Sequence, residues 1–114
     1  MAKDFPLTEG TIRHLQEHIT HKIEEWGFDD ETIHERLLLL TEELGELVKA
    51  CRKISGMNVE EKREVERNVG EEVADVINLI FAVGIKLGLD IEKEFREKET
   101  KVNKRVYQRN AKKV

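Results

Sequence analysis

Cysteine, proline and aromatic residues are all scarce in this sequence, and the shortages exclude several classes of protein. The single cysteine, Cys51, can form neither an internal disulfide nor a cysteine-ligated zinc site. Aromatic residues make up only 5% of the chain, which is too few for a sheet that stacks nucleotide bases. The longest apolar run, 79–83, is far shorter than a membrane span, and the first residues contain no apolar signal segment. We therefore expect a cytoplasmic protein with no membrane contact.

Charged residues are abundant instead. They make up 39% of the 114 residues, the same share as the hydrophobic residues. This balance is typical of one small core under a highly charged surface, so we expect a single domain over residues 1–114. The formal net charge of −4 argues against binding to duplex nucleic acid, which requires a basic surface.

Apolar residues recur at helical spacing in four segments, and the alternating pattern of strands is absent. Asp30 is predicted to cap the second helix, and Asn58 with Glu61 is predicted to form a capping box at the start of the third. Trp26 lies on the apolar face of the first helix and is expected in the core. The fold class is therefore all-α, a four-helix core in which short connections make sequential helices antiparallel. The predicted helices cover 8–26, 30–54, 59–87 and a segment that begins after Asp90.

Two of these helices repeat one acidic motif, TEELGELV at 41–48 and GEEVADVI at 70–77. Each motif places two acids one turn apart on the flank of an apolar stripe. The stripe of the second helix includes Leu44 and Cys51, and we expect this cysteine to be buried. If the two stripes pack together, four carboxylates converge at one edge of the interface: Glu43, Glu46, Glu72 and Asp75.

Converging carboxylates repel one another, and partial burial strengthens the repulsion. A Mg²⁺ ion would remove this cost because it prefers oxygen ligands and retains several waters. Zinc fits less well, since no histidine or cysteine belongs to the cluster. The sequence therefore favours a Mg²⁺ site, with Mn²⁺ as a possible substitute. The alternative is two solvated acidic helix faces.

The segments ELGE at 43–46 and EVAD at 72–75 resemble the paired ExxE and ExxD signature of the MazG-like, all-α nucleoside triphosphate pyrophosphohydrolases. The similarity extends over roughly 15–105. It implies a helical dimer or tetramer with a four-helix core, in which the four acids bind Mg²⁺. It also implies cleavage of a nucleoside triphosphate to the monophosphate and pyrophosphate, with Glu43 or Glu46 as the catalytic group that orients the attacking water.

The segment KVNKR at 101–105 resembles the basic segment that closes the site in that family. The helical wheel places Lys104 beyond Lys101, and Asn103 away from both, so it does not bring all of them to one site. Lys53, at the end of the second helix, is a weaker candidate for phosphate contact. A solvated basic helix end is the alternative for the whole segment. The substrate-binding residues that the resemblance implies are Lys101, Asn103, Lys104 and Arg105.

Several alternatives remain open at this point. Phosphoribosyl-ATP pyrophosphohydrolases share the helical fold and similar acidic helices. A noncatalytic helical assembly module would also be charged and rich in leucine. A base-stacking role is an alternative for Trp26, Phe5 or Phe28. Under each of these interpretations we expect a homodimer or homotetramer, because four helices expose more apolar surface than one small bundle buries. The residues predicted for the subunit interface are Leu38, Leu39, Phe81 and Ile85.

Overall fold

The computed structural model describes residues 11–53 and 59–104, and it describes side chains at 11–53 and 68–104. These ranges contain four helices and no strand, which confirms the all-α class. None of these helices has the length and apolar composition that a membrane span requires. Asn58, the side chain of Glu61 and all of Arg105 lie outside the described residues. The helices are α1 (Ile12–Glu25), α2 (Ile33–Arg52), α3 (Val59–Lys86) and α4 (Ile91–Asn103).

Local capping explains where the helices begin and end. The prediction that Asp30 caps α2 is wrong, because Thr32 occupies that position. The Thr32 hydroxyl accepts a hydrogen bond from the Glu35 amide, and the Glu35 carboxylate accepts one from the Thr32 amide. This reciprocal pair satisfies two amides that the first turn leaves without partners. Asp90 caps α4 as expected, and Gly27 turns the chain out of α1 at a φ of 77° that favours glycine.

Helices α2 and α3 form an antiparallel pair. Arg36, near the start of α2, contacts Ala82 near the end of α3, whereas Glu46, further along α2, lies beside Glu72. The less exposed residues of each helix recur at intervals of three and four, as expected for one helix face. On α2 these residues are Ile33, Arg36, Leu40, Glu43, Leu47 and Ala50. On α3 one such face has Val69, Glu72, Val76, Leu79 and Val83, and less exposed residues outside it are Asn78, Phe81, Ala82, Gly84 and Ile85.

The expectation that α1 packs against its sequence neighbour is wrong. In the described part of the chain α1 packs against α3 and α4, and α2 packs against α3 alone. The Lys22 ammonium donates to the Asn78 side-chain oxygen at 2.8 Å, which ties α1 to α3. The start of α4 docks on the start of α1, where Glu92 accepts from the Arg13 amide at 2.8 Å. Gly84 lets the start of α4 lie close against α3, because a Cβ atom there would lie 2.9 Å from the Ile91 side chain.

The buried core of the single chain is small. Among the described residues, the buried hydrophobic side chains are Ile19, Val76, Phe81 and Ala82. The core placement predicted for Trp26 is wrong, since this residue is 64% exposed, and Cys51 is exposed instead of buried. Phe81 belongs to the core of the chain itself, so its predicted place in a subunit interface is also wrong.

Candidate metal and nucleotide site

Three carboxylates from α2 and α3 meet across the helix pair. Glu43, Glu72 and Asp75 each offer an oxygen atom, and these atoms all lie within 4.8 Å of one another. Two of the three residues are half-buried and Asp75 is exposed. We call these three residues the acid cluster. Its members are three of the four acids that the sequence singled out.

Glu43 and Glu72 lie within the helix interface rather than on its flank. Each occupies a position that the three- and four-residue spacing assigns to the contact face, where its neighbours along the helix are apolar. The Oε2 atom of each carboxylate is buried and has no hydrogen-bond partner among the described residues. A buried carboxylate oxygen without a donor is unfavourable, because it has lost water and gained nothing in return. The arrangement therefore favours the binding of a proton or a cation.

The local electrostatics give the same result. A hydrogen bond with Glu72 raises the pKa of Glu43, and loss of hydration together with the negative charges of Glu72, Asp75 and Glu46 raises it further. Two carboxyl groups can share a hydrogen bond only when one of them is protonated. In the absence of a cation, Glu43 thus retains its proton to a higher pH than an isolated glutamate would.

Glu46 lies outside the acid cluster but close to it. It is exposed on the next turn of α2, and it lines one small cavity together with Glu72. Its charge contributes to the raised pKa of Glu43. The structure therefore brings all four predicted acids to one side of the α2–α3 pair, with Glu46 facing the solvent.

The basic residues of α4 are placed differently. Lys101, Asn103 and Lys104 are exposed near the end of α4, which does not pack against α2. They do not line either of the cavities that flank the acid cluster. Their role in substrate binding stays a prediction.

An apolar cleft of about 460 Å³ opens between α1, α2 and α3 on the same side as the acid cluster. Trp26 and Phe28 line it with exposed aromatic rings, and Leu39 and Leu79 contribute aliphatic surface. The Lys22 ammonium lies 5.7 Å from the centre of the Trp26 ring, within the range of a cation–π contact. We call this feature the aromatic cleft. Leu39 precedes Glu43 by one helical turn, so the cleft adjoins the acid cluster.

Arg36 lies behind this cleft and binds the backbone of two residues that line it, and no motif in the sequence singles it out. Its side chain is only 2% exposed, and it donates to the Ala82 carbonyl of α3 and to the Phe28 carbonyl of the α1–α2 connection. It also forms an ion pair with Glu31 at 3.4 Å. The sequence does contain a signal for its burial. Arg36 lies among leucines and follows Ile33 by three residues, which is the spacing of the helix contact face.

Comparison of the chain with protein-family models, with curated proteins and with solved structures gives no match in any of the three. The similarity to the MazG-like enzymes therefore rests on the motif residues themselves.

Proposed function

We propose that this protein is a Mg²⁺-dependent nucleotide pyrophosphohydrolase that cleaves a nucleoside triphosphate to the monophosphate and pyrophosphate. One observation carries the proposal: Glu43 and Glu72 face each other inside a helix interface, each with a buried oxygen that has no hydrogen-bond donor. Apolar residues at these two positions would stabilise the helix pair more. An acid at both positions is therefore better explained by a ligand than by folding.

The residues present fit a hard divalent cation. All candidate ligand atoms are carboxylate oxygens, and no histidine or cysteine belongs to the acid cluster. Glu43, Glu72 and Asp75 would hold Mg²⁺, and Mn²⁺ could replace it because it accepts the same oxygen ligands. When bound, the ion offsets the carboxylate charges and the charge that builds on the phosphate oxygens during cleavage.

The aromatic cleft supports a nucleotide as the substrate. Exposed Trp26 and Phe28 rings offer surfaces on which a base can stack, and the cleft lies one turn of α2 from Glu43. A ligand with a flat apolar end and a polyanionic end matches a cleft beside a cation site. The sequence leaves this stacking role open for Trp26 and Phe28, and their exposure supports it.

In the proposed reaction, the oxygen of a water molecule forms a bond to the α-phosphorus. The bond between the α-phosphorus and the bridging oxygen breaks, and its electron pair leaves on pyrophosphate. The exposed Glu46 carboxylate, beside the acid cluster, orients this water and accepts its proton. Trp26 and Phe28 hold the base and so keep the α-phosphorus next to the acids.

The test is a panel of nucleoside triphosphates with Mg²⁺, together with phosphoribosyl-ATP, read out as pyrophosphate against orthophosphate. We expect pyrophosphate from at least one simple triphosphate, and a loss of at least about 100-fold in Glu43→Gln and Glu72→Gln. Glu42→Gln is the matched control, because this neighbouring glutamate is exposed and lies outside the acid cluster. Preferential turnover of phosphoribosyl-ATP would favour the biosynthetic alternative, and full activity in Glu43→Gln would refute the proposal.

We further propose that the protein is a homodimer or a dimer of dimers. Opposite the acid cluster, the α2–α3 pair exposes a continuous apolar face formed by Leu37, Leu44, Val48, Val73, Ile77 and Ile80. On each helix these residues lie at intervals that place them on one side. Since the helices are antiparallel, the two sides combine into one surface that a second copy of the chain can cover.

Light scattering during size exclusion tests this surface. Leu44→Asp should shift the protein toward the monomer. Leu38→Asp is the control, because Leu38 is 72% exposed on α2 but points away from this face. If Leu38→Asp alone dissociates the protein, the interface predicted from the sequence is the correct one.

A noncatalytic assembly module is the second candidate function, and the exposed apolar face is the observation that favours it. Self-association without any response to Mg²⁺ would establish it.

A further inference from the structure

A small cavity of about 170 Å³ adjoins the acid cluster on the side opposite the aromatic cleft. The acids Glu46 and Glu72 line it, and the lysines Lys49 and Lys53 line it as well. We call it the lysine cavity. Because Glu72 belongs to both the lysine cavity and the acid cluster, the two features are continuous. The remaining lining residues are Ala50, Asn68 and Glu71.

Lys49 and Lys53 lie one helical turn apart and therefore project from the same side of α2. Both are exposed, and neither takes part in the ion pairs found between described residues. The carboxyl end of a helix favours cations, which accounts for positive charge near the end of α2. It does not account for the cavity that these two lysines share with the acids. Because the ammonium groups of Lys49 and Lys53 form no ion pair with the described carboxylates, their positive charge is available to an anionic ligand.

The aromatic cleft, the acid cluster and the lysine cavity follow one another along the α2–α3 pair. Along α2 the order is Leu39 in the aromatic cleft, Glu43 in the acid cluster and Lys53 in the lysine cavity. The rise of a helix puts about 21 Å between the first and the last of these residues. Along α3 the order is reversed, from Leu79 to Asn68, as an antiparallel pair requires. The two helices thus form one groove with an apolar end, an acidic centre and a basic end.

We infer that Lys49 and Lys53 bind the β- and γ-phosphates of the substrate and hold the pyrophosphate as it leaves. This inference rests on the proposed function and deepens it, because it fixes the direction of the nucleotide in the groove. The base lies in the aromatic cleft, the α-phosphate at the acid cluster and the terminal phosphates in the lysine cavity. Lysine ammonium groups form charge-assisted hydrogen bonds to phosphate oxygens, and here they offset the charge that the bridging oxygen gains when its bond breaks.

The two reaction products test this direction separately. The double variant Lys49→Gln/Lys53→Gln should weaken inhibition by pyrophosphate by about tenfold or more, because two charge-assisted contacts are lost. Inhibition by the nucleoside monophosphate should remain unchanged, whereas Trp26→Ala should show the reverse pattern. Calorimetric titration of each variant with pyrophosphate and Mg²⁺ measures the same difference without turnover. Arg52→Gln is the matched control, since it removes one positive charge from the same helix end but does not line the cavity.

The outcomes separate this inference from the proposed function. If the wild-type protein turns over no triphosphate, the proposed function fails. Binding of pyrophosphate that still depended on Lys49 and Lys53 would then leave the anion site standing. If the wild type is active and the double variant binds pyrophosphate as tightly as Arg52→Gln does, the inference is wrong and the function stands. If Lys101→Gln and Lys104→Gln weaken pyrophosphate binding in place of the double variant, the phosphates lie at α4 and the inference is again wrong.

Discussion

Replacement of Arg36 by methionine should destabilise the protein strongly, although the new side chain suits a helix interface. Methionine retains an unbranched stem of similar length and is a good helix former. It loses the two charge-assisted hydrogen bonds to the Ala82 and Phe28 carbonyls and the ion pair with Glu31. Those contacts join α2 to α3 and to the α1–α2 connection.

The structure sets the size of the effect. A hydrogen bond from a charged donor contributes about 1.5 to 3 kcal/mol. The low end applies here, because the Phe28 carbonyl also accepts from the Glu31 amide at 3.2 Å and so keeps a partner. Two such bonds give about 3 kcal/mol. The ion pair adds about 1 kcal/mol or less, because the Glu31 side chain is 23% exposed and its carboxylate regains water when Arg36 is lost. A loss of about 3 kcal/mol corresponds to a fall in Tm of about 12 °C for a chain of this size.

Urea unfolding at one fixed protein concentration measures this loss, since self-association would otherwise shift the midpoint. Arg52→Met is the control, because Arg52 is exposed on the same helix and its replacement should change stability by less than about 0.5 kcal/mol. Buried ion pairs can sometimes be replaced by apolar residues with a gain in stability. A gain in Arg36→Met, or a loss below about 1 kcal/mol, would show that the backbone contacts of Arg36 contribute little.

Three further predictions concern the carboxylates. Without divalent cations, the stability that Glu43 contributes should be fully present below the ordinary glutamate pKa and be lost as the pH rises through its raised pKa, because the folded state binds that proton more tightly than the unfolded state. Glu43→Gln should remove this loss, and an unchanged pH profile of Tm would contradict the assignment. Millimolar Mg²⁺ at neutral pH should raise the Tm of the wild type but not of Glu72→Gln, and a flat response in both would argue against a metal site. Hydrogen bonds from the Arg13 amide and then from the Arg96 side chain lower the pKa of Glu92. The stability that these bonds contribute should therefore be present at neutral pH and be lost as the pH falls through the lowered pKa. In Glu92→Gln, the free energy of unfolding should decrease less between neutral pH and about pH 3 than in the wild type.

The helices could be predicted because their signals are local. The start of α3 at Val59 and the Asp90 cap of α4 follow from residues within one turn of each helix end. The choice between Asp30 and Thr32 at the start of α2 depended on one further contact. Either residue can cap a helix, but only Thr32 has a glutamate three residues later that completes the capping box.

The helix faces could not be predicted as reliably, because α2 is apolar over a wide arc. One stripe through Leu40 and Leu47 could continue toward Leu44 and Cys51 or toward Arg36 and Glu43. The sequence interpretation chose the first, and the structure has the second. The chain alone does not indicate which arc faces α3, because that depends on the register of the antiparallel pair. The same choice moved Glu43 from the flank of the interface into it.

The burial of Arg36 illustrates a different limit. An arginine is almost never fully buried unless its charge is paired. Its hydrogen-bond partners are the backbone carbonyls of Phe28 and Ala82, which belong to two segments that are distant in sequence. Every residue has a backbone carbonyl, so neither composition nor spacing identifies these partners. Only the three-dimensional arrangement shows that this charge has partners. The lysine cavity was hidden for the same reason, since Lys49 and Asn68 meet only when the two helices pair.

The placement of Glu43 and Glu72 connects folding to the proposed activity. Both residues occupy positions of the helix contact face at which leucine or valine would bury apolar surface and strengthen the α2–α3 pair. Their carboxylates instead meet where one oxygen of each has no donor, and a proton on Glu43 relieves the repulsion, which is why its pKa is raised. A cation that replaces this proton would bind more tightly as the pH rises, because it competes with fewer protons. As the pH rises, the stability of the cation-free protein should fall while its affinity for the cation should rise. These opposite pH dependences distinguish a cation site from two neighbouring acids that bind no ligand.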